Sequence, residues 1–146
     1  MRQPNGKFRY NCSIIDLYDR SAVASLNSDC INTDLAINTL KTALKKEKHP
    51  KVILHSDQGV QFTSCEFVNF CKDNNITQSM SKAGCPYDNA PMERFHNTFK
   101  SNFYNVTSFS NVEVMDELTT KYINWYNYVR PHSHNNYLTP MEARYK

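Results

Sequence analysis

Short runs of apolar and aromatic residues, each ended by polar or turn-forming residues, recur along the first half of the chain. Such runs are typical of β-strands rather than of amphipathic helices. They predict strands over Phe8–Leu17, Ala22–Leu26, Val52–Leu54 and Ile76–Met80. The run Val52–Leu54 is wholly apolar, which indicates a parallel strand buried on both faces.

Elsewhere the apolar positions recur every three or four residues, which predicts helices. Residues with N-capping side chains precede three of these segments. They lie within Asp29–Asp34, at Ser64, and at Asp88 and Asn89. We expect helices over the following segments: Leu35 to His49-Pro50, Ser64 to Asp73-Asn74-Asn75, Asp88-Asn89 to Phe103, and Val112 to Val129. The order β-β-α-β-α-β-α-α predicts an α/β fold with a mixed sheet, antiparallel at one side and parallel at the other.

Length and composition fit a single globular domain: the chain has 146 residues, of which 40% are hydrophobic and 21% charged. We find neither an apolar run long enough to cross a bilayer nor a signal peptide, so we expect a cytoplasmic protein without membrane contact. The five cysteines form no C-x-x-C pair, and we expect them to be reduced, small buried hydrophobes. The net charge of +3 permits a nucleic-acid partner without requiring one.

Positive charge is concentrated in one segment near the end of the first predicted helix. Two interpretations stay open, a helix C-terminus that favours cations and a surface that faces phosphate. The clustered residues are Lys41, Lys45, Lys46, Lys48 and Lys51, against the single acid Glu47.

Two carboxylates are candidates for a shared site. Asp57 directly follows the strand Val52–Leu54, and the carboxyl ends of parallel strands are where catalytic groups collect. An acid before a glycine is also common turn chemistry. Glu93 lies in the first turns of a predicted helix, with Lys100 two turns later on the same face. By itself, a glutamate on a helix is usually a solvated surface residue without a role in a site.

Several motifs in order resemble the catalytic core of insertion-sequence transposases related to retroviral integrases, specifically the IS3 family. The resemblance covers nearly the whole chain. Its motifs are the segments His55-Ser56-Asp57-Gln58-Gly59-Val60-Gln61-Phe62, Ser79-Met80-Ser81, Asp88-Asn89-Ala90-Pro91-Met92-Glu93-Arg94-Phe95, Tyr126-Asn127-Tyr128-Val129-Arg130-Pro131-His132 and Leu138-Thr139-Pro140.

The resemblance implies an RNase H-like fold and a D-D-E triad, in which Asp57 matches the second Asp and Glu93 the Glu. These two acids would be ligands of two Mg²⁺ ions, with Mn²⁺ able to substitute, in phosphodiester cleavage and DNA strand transfer. Lys100, together with Lys82 and Arg94, would contact DNA phosphate, although a solvated lysine stays an alternative for Lys100. The implied partners are the ends of the insertion sequence and target DNA, for a bacterial, nucleoid-associated protein.

The first Asp of the family and the strand that carries it have no counterpart in the sequence. That strand would lie centrally, between the Phe8–Leu17 and Val52–Leu54 strands, and Asn5-Gly6 predicts a hairpin turn that has hardly any strand before it. We interpret Asp16 as structural. We therefore expect an N-terminally truncated core over residues 1–130, with residues 131–146 as the tail of the same domain.

Three functions stay open for such a chain. The first is that of a transposase with metal-dependent activity. The second is an inactive fragment that binds DNA or pairs with an intact transposase or another copy of itself, and the third is a decayed remnant. A nuclease of the wider RNase H group would not explain the segment Arg130-Pro131-His132.

Overall fold

The computed structural model describes residues 1–3, 5–47 and 51–146. It contains four strands: β1 (Tyr10–Ile15), β2 (Ala22–Ser28), β3 (Val52–Ser56) and β4 (Ile76–Met80). The α-helices are α1 (Thr33–Lys46), α2 (Val60–Thr63), α3 (Cys65–Asp73), α4 (Ala90–Asn102), α5 (Val112–Tyr128) and α6 (Pro140–Arg144). Lys48 and the helix stop predicted at His49-Pro50 lie outside the described residues.

The described strands form two separate two-stranded sheets rather than one continuous mixed sheet. β1 pairs with β2 in antiparallel register, with Cys12 opposite Leu26. β3 pairs with β4 in parallel register, with Leu54 opposite Gln78. The two predicted orientations are therefore confirmed, and the sheet is divided between β1 and β3, where the resemblance placed a central strand.

The predicted strand Phe8–Leu17 is too long at both ends. Phe8 forms only an isolated bridge with Arg2. At the other end, the pairing of β1 shifts register between Ile14 and Ile15, and the chain then turns as the Asp16 side chain accepts a hydrogen bond from the Tyr18 amide. The polar turn at Asp16 thus ends the strand at Ile15, although the predicted strand continued to Leu17.

The caps of the helices agree only partly with the predictions. Ser64 caps α3 as expected, since its hydroxyl accepts a hydrogen bond from the Phe67 amide at 3.3 Å. Asn89 precedes α4 but makes no capping hydrogen bond, and the Asp88 carboxylate instead accepts one from the backbone amide of Lys82. The capping roles predicted for Asp88 and Asn89 are therefore wrong. Asn89 forms no cap, and Asp88 binds the backbone of the preceding loop instead.

Apolar side chains pack in two principal clusters. In the first cluster, helices α1 and α3 pack with β4 around the fully buried Phe67. In the second, helices α4 and α5 pack against the start of β2, around the buried Phe95 of α4. Ile14 joins the first cluster and Ile15 the second. Neighbouring residues of a strand point to opposite faces, so the two clusters lie on either side of β1.

An arginine in the tail beyond α5 pairs with acids from the first third of the chain. Arg144 forms ion pairs with the buried Asp19 at 2.6 Å and with Asp16 at 3.3 Å, and it also pairs with Glu47. Its guanidinium donates to the Ser21 hydroxyl as well. These contacts give Asp16 a structural role at the turn after β1.

The cysteines are only partly as expected. All five are free thiols, and burial raises the pKa of both Cys71, which is fully buried, and Cys12. Cys30, Cys65 and Cys85 are exposed. Burial is therefore a wrong prediction for these three, since they lie in a loop, in the first turn of a helix and before a 3₁₀ turn, away from the core.

In the part of the chain that the structure describes, we find no helix long and apolar enough to cross a membrane.

Candidate active site

A cleft of about 1240 Å³ lies between the two sheets. Its walls come from β1 and β3, from α1, from the start of α4, and from the loops after β3 and β4. Asp57, Glu93 and Lys82 all line it. The fold therefore brings three of the five predicted site residues to one cleft, although Asp57 and Glu93 are separated by a helix and a strand in the sequence.

Asp57 stands at the carboxyl end of β3, in a turn that its own side chain closes. Its Oδ1 accepts a hydrogen bond from the Gly59 amide at 2.9 Å. A Cβ atom at position 59 would lie 2.9 Å from that same Oδ1 and 2.7 Å from the Gln61 side chain. The Asp57 carboxylate therefore closes the turn and is still exposed to solvent.

A histidine ties together the two segments that lead into the site. The ring of His55 contacts the Ser79 hydroxyl through Nδ1 at 2.9 Å and the Ser81 hydroxyl through Nε2 at 3.0 Å. The Ser81 amide donates to the Ser56 carbonyl at 2.9 Å, and the Gln58 side chain donates to the Ser81 carbonyl. Sequence reasoning assigned these residues to motifs but gave them no role, since a cross-strand contact has no local signal.

Glu93 is exposed in the first turn of α4. The buried rings of Phe95 and Phe99 anchor this helix in the core, and Phe95 packs edge-on against Tyr126 of α5. The anchoring rings fix the rotation of the helix, so that Glu93 and His96 line the cleft. A rigid helix therefore presents the second carboxylate.

Arg94 and Lys100 are exposed on α4 and do not line the cleft, unlike Met92, Glu93 and His96 of the same helix. Lys100 nevertheless acts on the cleft electrostatically. Burial lowers the pKa of His96 below its ordinary value, and the positive charge of Lys100 lowers it further. Lys100 also lowers the pKa of the Met1 ammonium, for which burial is the larger cause.

Three lysines of the cluster, Lys41, Lys45 and Lys46, lie on α1, in line with the interpretation as a helix C-terminus that favours cations. Lys45 and Lys46 lie in the last turn, where the helix dipole favours cations. Lys41 lies over the Phe70 ring at 5.6 Å. None of these three lines the cleft.

Two sequence profiles of the integrase core domain family match the chain, one over residues 1–86 and the other over residues 74–140. The putative transposase InsK of insertion sequence element IS150 from Escherichia coli K12 is 36% identical over 141 residues, which are 96% of this chain and 50% of that protein. The transposase InsF of insertion sequence IS3A from the same strain is 34% identical over 139 residues, or 94% of this chain and 48% of that protein. The chain thus spans about half the length of these relatives.

Three solved structures share the fold at low sequence identity. The simian T-cell lymphotropic virus intasome, in complex with a PP2A regulatory subunit, gives a TM-score of 0.79 at 16% identity and covers all of this chain and 51% of that one. The catalytic core domain of BIV integrase gives 0.64 at 16% identity, over 90% of this chain and 82% of that one. The HTLV-2 integrase core in complex with magnesium gives 0.63 at 17% identity, over 88% and 80%. The predicted RNase H-like fold is confirmed by these likenesses. The chain therefore belongs to the integrase core domain family, and it is similar to transposases of the IS3 and IS150 insertion sequences.

Proposed function

We propose that the chain serves DNA transposition by metal-dependent phosphodiester cleavage and strand transfer, with Asp57 and Glu93 as its metal-binding acids. The observation that carries the proposal is the shared cleft, since two exposed carboxylates from distant parts of a transposase-family chain line the same cavity. Water is the nucleophile for cleavage and a DNA 3′-hydroxyl for strand transfer.

The donor set suits a hard divalent cation. Asp57 and Glu93 supply carboxylate oxygens, and Mg²⁺ in proteins is often held by one or two carboxylates, with water and substrate phosphate completing its shell. Among the described residues, no group of three or more His, Cys, Asp or Glu side chains is arranged to hold a metal ion. When bound, divalent ions supply charge stabilisation at the attacking and leaving oxygens of the phosphodiester.

The protein's own residues would orient the acids and attract the DNA. The Gly59 amide holds Oδ1 of Asp57, which fixes the direction of that carboxylate. Lys82 at the cleft, with Arg94 and Lys100 on α4, would provide positive charge for DNA phosphate. Phosphate contacts of this kind position a duplex without reading its sequence.

A second candidate function is non-catalytic: the chain binds DNA, or pairs with a second copy or an intact transposase, without cutting. In its favour, no three His, Cys, Asp or Glu side chains of the described residues are arranged to hold a metal ion. Of the other acids that line the cleft, Asp16 and Glu47 pair with Arg144, and Asp88 accepts a hydrogen bond from the Lys82 amide. A D-D-E site needs a third carboxylate beside Asp57 and Glu93.

The test is a nicking and strand-transfer assay on supercoiled plasmid DNA with Mg²⁺ or Mn²⁺. The proposal predicts cleavage that Asp57→Asn and Glu93→Gln each abolish. Glu113→Gln is the matched control, because Glu113 is likewise an exposed acid in the first turn of a helix, α5. Salt-dependent DNA binding without metal-dependent cleavage would refute the catalytic proposal for this chain and support the non-catalytic function.

A further inference from the structure

A histidine, His96, lies beside Glu93 on one face of α4. Residues three positions apart in a helix are neighbours on its surface, and both of these side chains line the cleft. The His96 ring is half-buried and packs edge-on against Phe95, with 5.7 Å between the ring centroids. Phe95 is itself fully buried, so the core holds the histidine ring in place. The helix therefore presents an imidazole and a carboxylate side by side to the cleft.

The ring nitrogens of His96 have no hydrogen-bond partner among the described residues. The other histidines that the structure describes each contact an oxygen atom through a ring nitrogen; they are His55, His132 and His134. His55 also lines the cleft, but hydroxyl groups occupy both of its ring nitrogens. Within the described part of the chain, His96 is therefore the histidine of the cleft whose nitrogens are available to a ligand.

The His96 ring also has the charge state that a metal ligand needs. Burial lowers its pKa, and the positive charge of Lys100 lowers it further. The ring is therefore neutral at neutral pH. A neutral imidazole binds a metal ion without first losing a proton.

The spacing of the two side chains is that of a recurring ligand pair. In helical bundles that bind two iron or manganese ions, Glu-x-x-His segments supply both ligands from one helix. The segment Glu93-Arg94-Phe95-His96 has the same spacing. Imidazole nitrogen is softer than carboxylate oxygen and suits zinc, nickel and other transition metals, whereas Mg²⁺ prefers oxygen.

We infer that Glu93 and His96 together bind one divalent transition-metal ion. Among the described residues, no third His, Cys, Asp or Glu side chain joins them, so water or a phosphate oxygen completes the shell of the ion. The inference rests on the proposed function in taking Glu93 as a metal-binding acid, and it adds a nitrogen ligand that Mg²⁺ does not require. It makes the cleft selective for Zn²⁺ over Mg²⁺.

Zinc is the probe, because it is diamagnetic and imidazole is one of its usual ligands. The whole chain, isotopically labelled and kept reduced, is titrated with Zn²⁺ at neutral pH and followed by NMR. Signals of the His96 ring nitrogens and of the amides next to Glu93 should shift with the same apparent dissociation constant. Glu93→Gln and His96→Phe should each weaken Zn²⁺ binding about tenfold or more, as read from those amides. His96→Phe keeps a ring against Phe95, and circular dichroism checks that it folds.

Metal preference distinguishes a ligand from a structural residue. His96→Phe should leave the Mg²⁺ response next to Glu93 unchanged, because Mg²⁺ does not depend on the imidazole. His134→Gln removes an exposed histidine outside the cleft, and Cys85→Ser removes an exposed thiol that lines it. Both variants should bind Zn²⁺ as the unaltered chain does.

The inference is overturned by Zn²⁺ binding that leaves the His96 nitrogen signals unmoved, by undiminished Zn²⁺ binding in His96→Phe, or by an equal loss of Mg²⁺ and Zn²⁺ binding in that variant. Loss of Zn²⁺ binding in Cys85→Ser would also overturn it, by assigning the ion to a thiol. Its failure is distinct from that of the proposed function. A chain that binds Zn²⁺ through Glu93 and His96 but shows no Mg²⁺ response next to Asp57 would uphold this inference and refute the metal role of Asp57.

Discussion

The imidazole of His55 lies 3.0 Å from the Ser81 hydroxyl, across the parallel pair β3 and β4. Asp57 follows two residues after His55, and Lys82 comes directly after Ser81. One side-chain contact therefore joins the two chain segments that carry a candidate metal ligand and a candidate DNA contact. We interpret His55 as a positioning residue, because it holds these segments together without itself being a carboxylate or a cation of the site.

The His55 contact predicts a local effect of mutation. His55→Ala removes both hydroxyl contacts and should lower the free energy of unfolding by about 1–3 kcal/mol, since each net hydrogen bond is worth about 1 kcal/mol. Chemical denaturation measures this change, and hydrogen exchange should accelerate most in the turn after β3. Ser79→Ala removes one of these contacts and serves as the graded control, expected at about half the loss of stability. Equal stability of the unaltered chain, His55→Ala and Ser79→Ala would show that the contacts of His55 do not stabilise the fold.

Gly59 predicts a separation of stability from metal binding. The three atoms nearest to a methyl group at this position are at the ends of the Asp57 and Gln61 side chains, at 2.7–2.9 Å. Because these ends can move, Gly59→Ala should change the free energy of unfolding by less than about 1 kcal/mol. The displaced Asp57 carboxylate should nevertheless bind Mg²⁺ more weakly, as measured by calorimetry. Unchanged Mg²⁺ affinity, with the variant folded, would show that the orientation of Asp57 is unimportant for the ion.

The placement of the cations predicts the salt dependence of DNA binding. The double variant Lys82→Ala/Lys100→Ala should weaken binding and reduce the slope of log affinity against log salt by about 0.7–0.9 for each DNA phosphate that the protein no longer neutralises. Fluorescence anisotropy with a labelled duplex at several salt concentrations gives this slope. The variant Lys45→Ala/Lys46→Ala removes the same charge from the end of α1 and should keep the slope. The reverse outcome would move the DNA surface to the lysine cluster.

His132 predicts how stability depends on pH. Burial lowers the pKa of His132 to about 4 from its ordinary value of 6.5, and the charge of Arg130 adds to this effect. The unfolded chain therefore binds a proton that the folded chain does not, so this residue makes the free energy of unfolding fall as pH decreases from about 6.5 to about 4. Denaturation at several pH values should show a shallower fall for His132→Gln. The exposed His134→Gln is the control, and an unchanged pH profile in His132→Gln would contradict the assignment.

Much of the fold was predictable because its signals are local. The strand Ile76–Met80 is observed with the predicted ends, and the helix expected over Val112–Val129 ends one residue early, at Tyr128. Apolar spacing and capping residues decide such elements within a few positions. The short helix α6 was not predicted, although Thr139 and Glu142 form a capping box at its start.

Contacts between distant residues were not predictable in the same way. Asn127 of α5 holds the start of β2 with two hydrogen bonds to the Ala22 backbone, at 2.8 and 3.0 Å, yet these residues are 105 positions apart. The ion pairs of Arg144 are of the same kind. At the site, spacing correctly placed Asp57 at a strand end and Glu93 in the first turn of a helix, whereas the contacts of His55 depend on the pairing of two strands.

The central claim is that Asp57 and Glu93 belong to one divalent-ion site, and an NMR titration with Mg²⁺ tests it most directly. Amide signals next to Asp57 and next to Glu93 should shift with a single apparent dissociation constant. In Asp57→Asn, the shift next to Glu93 should require at least about tenfold more Mg²⁺, because the site loses one of its two carboxylates. Glu113→Gln should respond like the unaltered chain. An unchanged response next to Glu93 in Asp57→Asn, with the protein folded, would show that the two acids bind independently and would contradict the account.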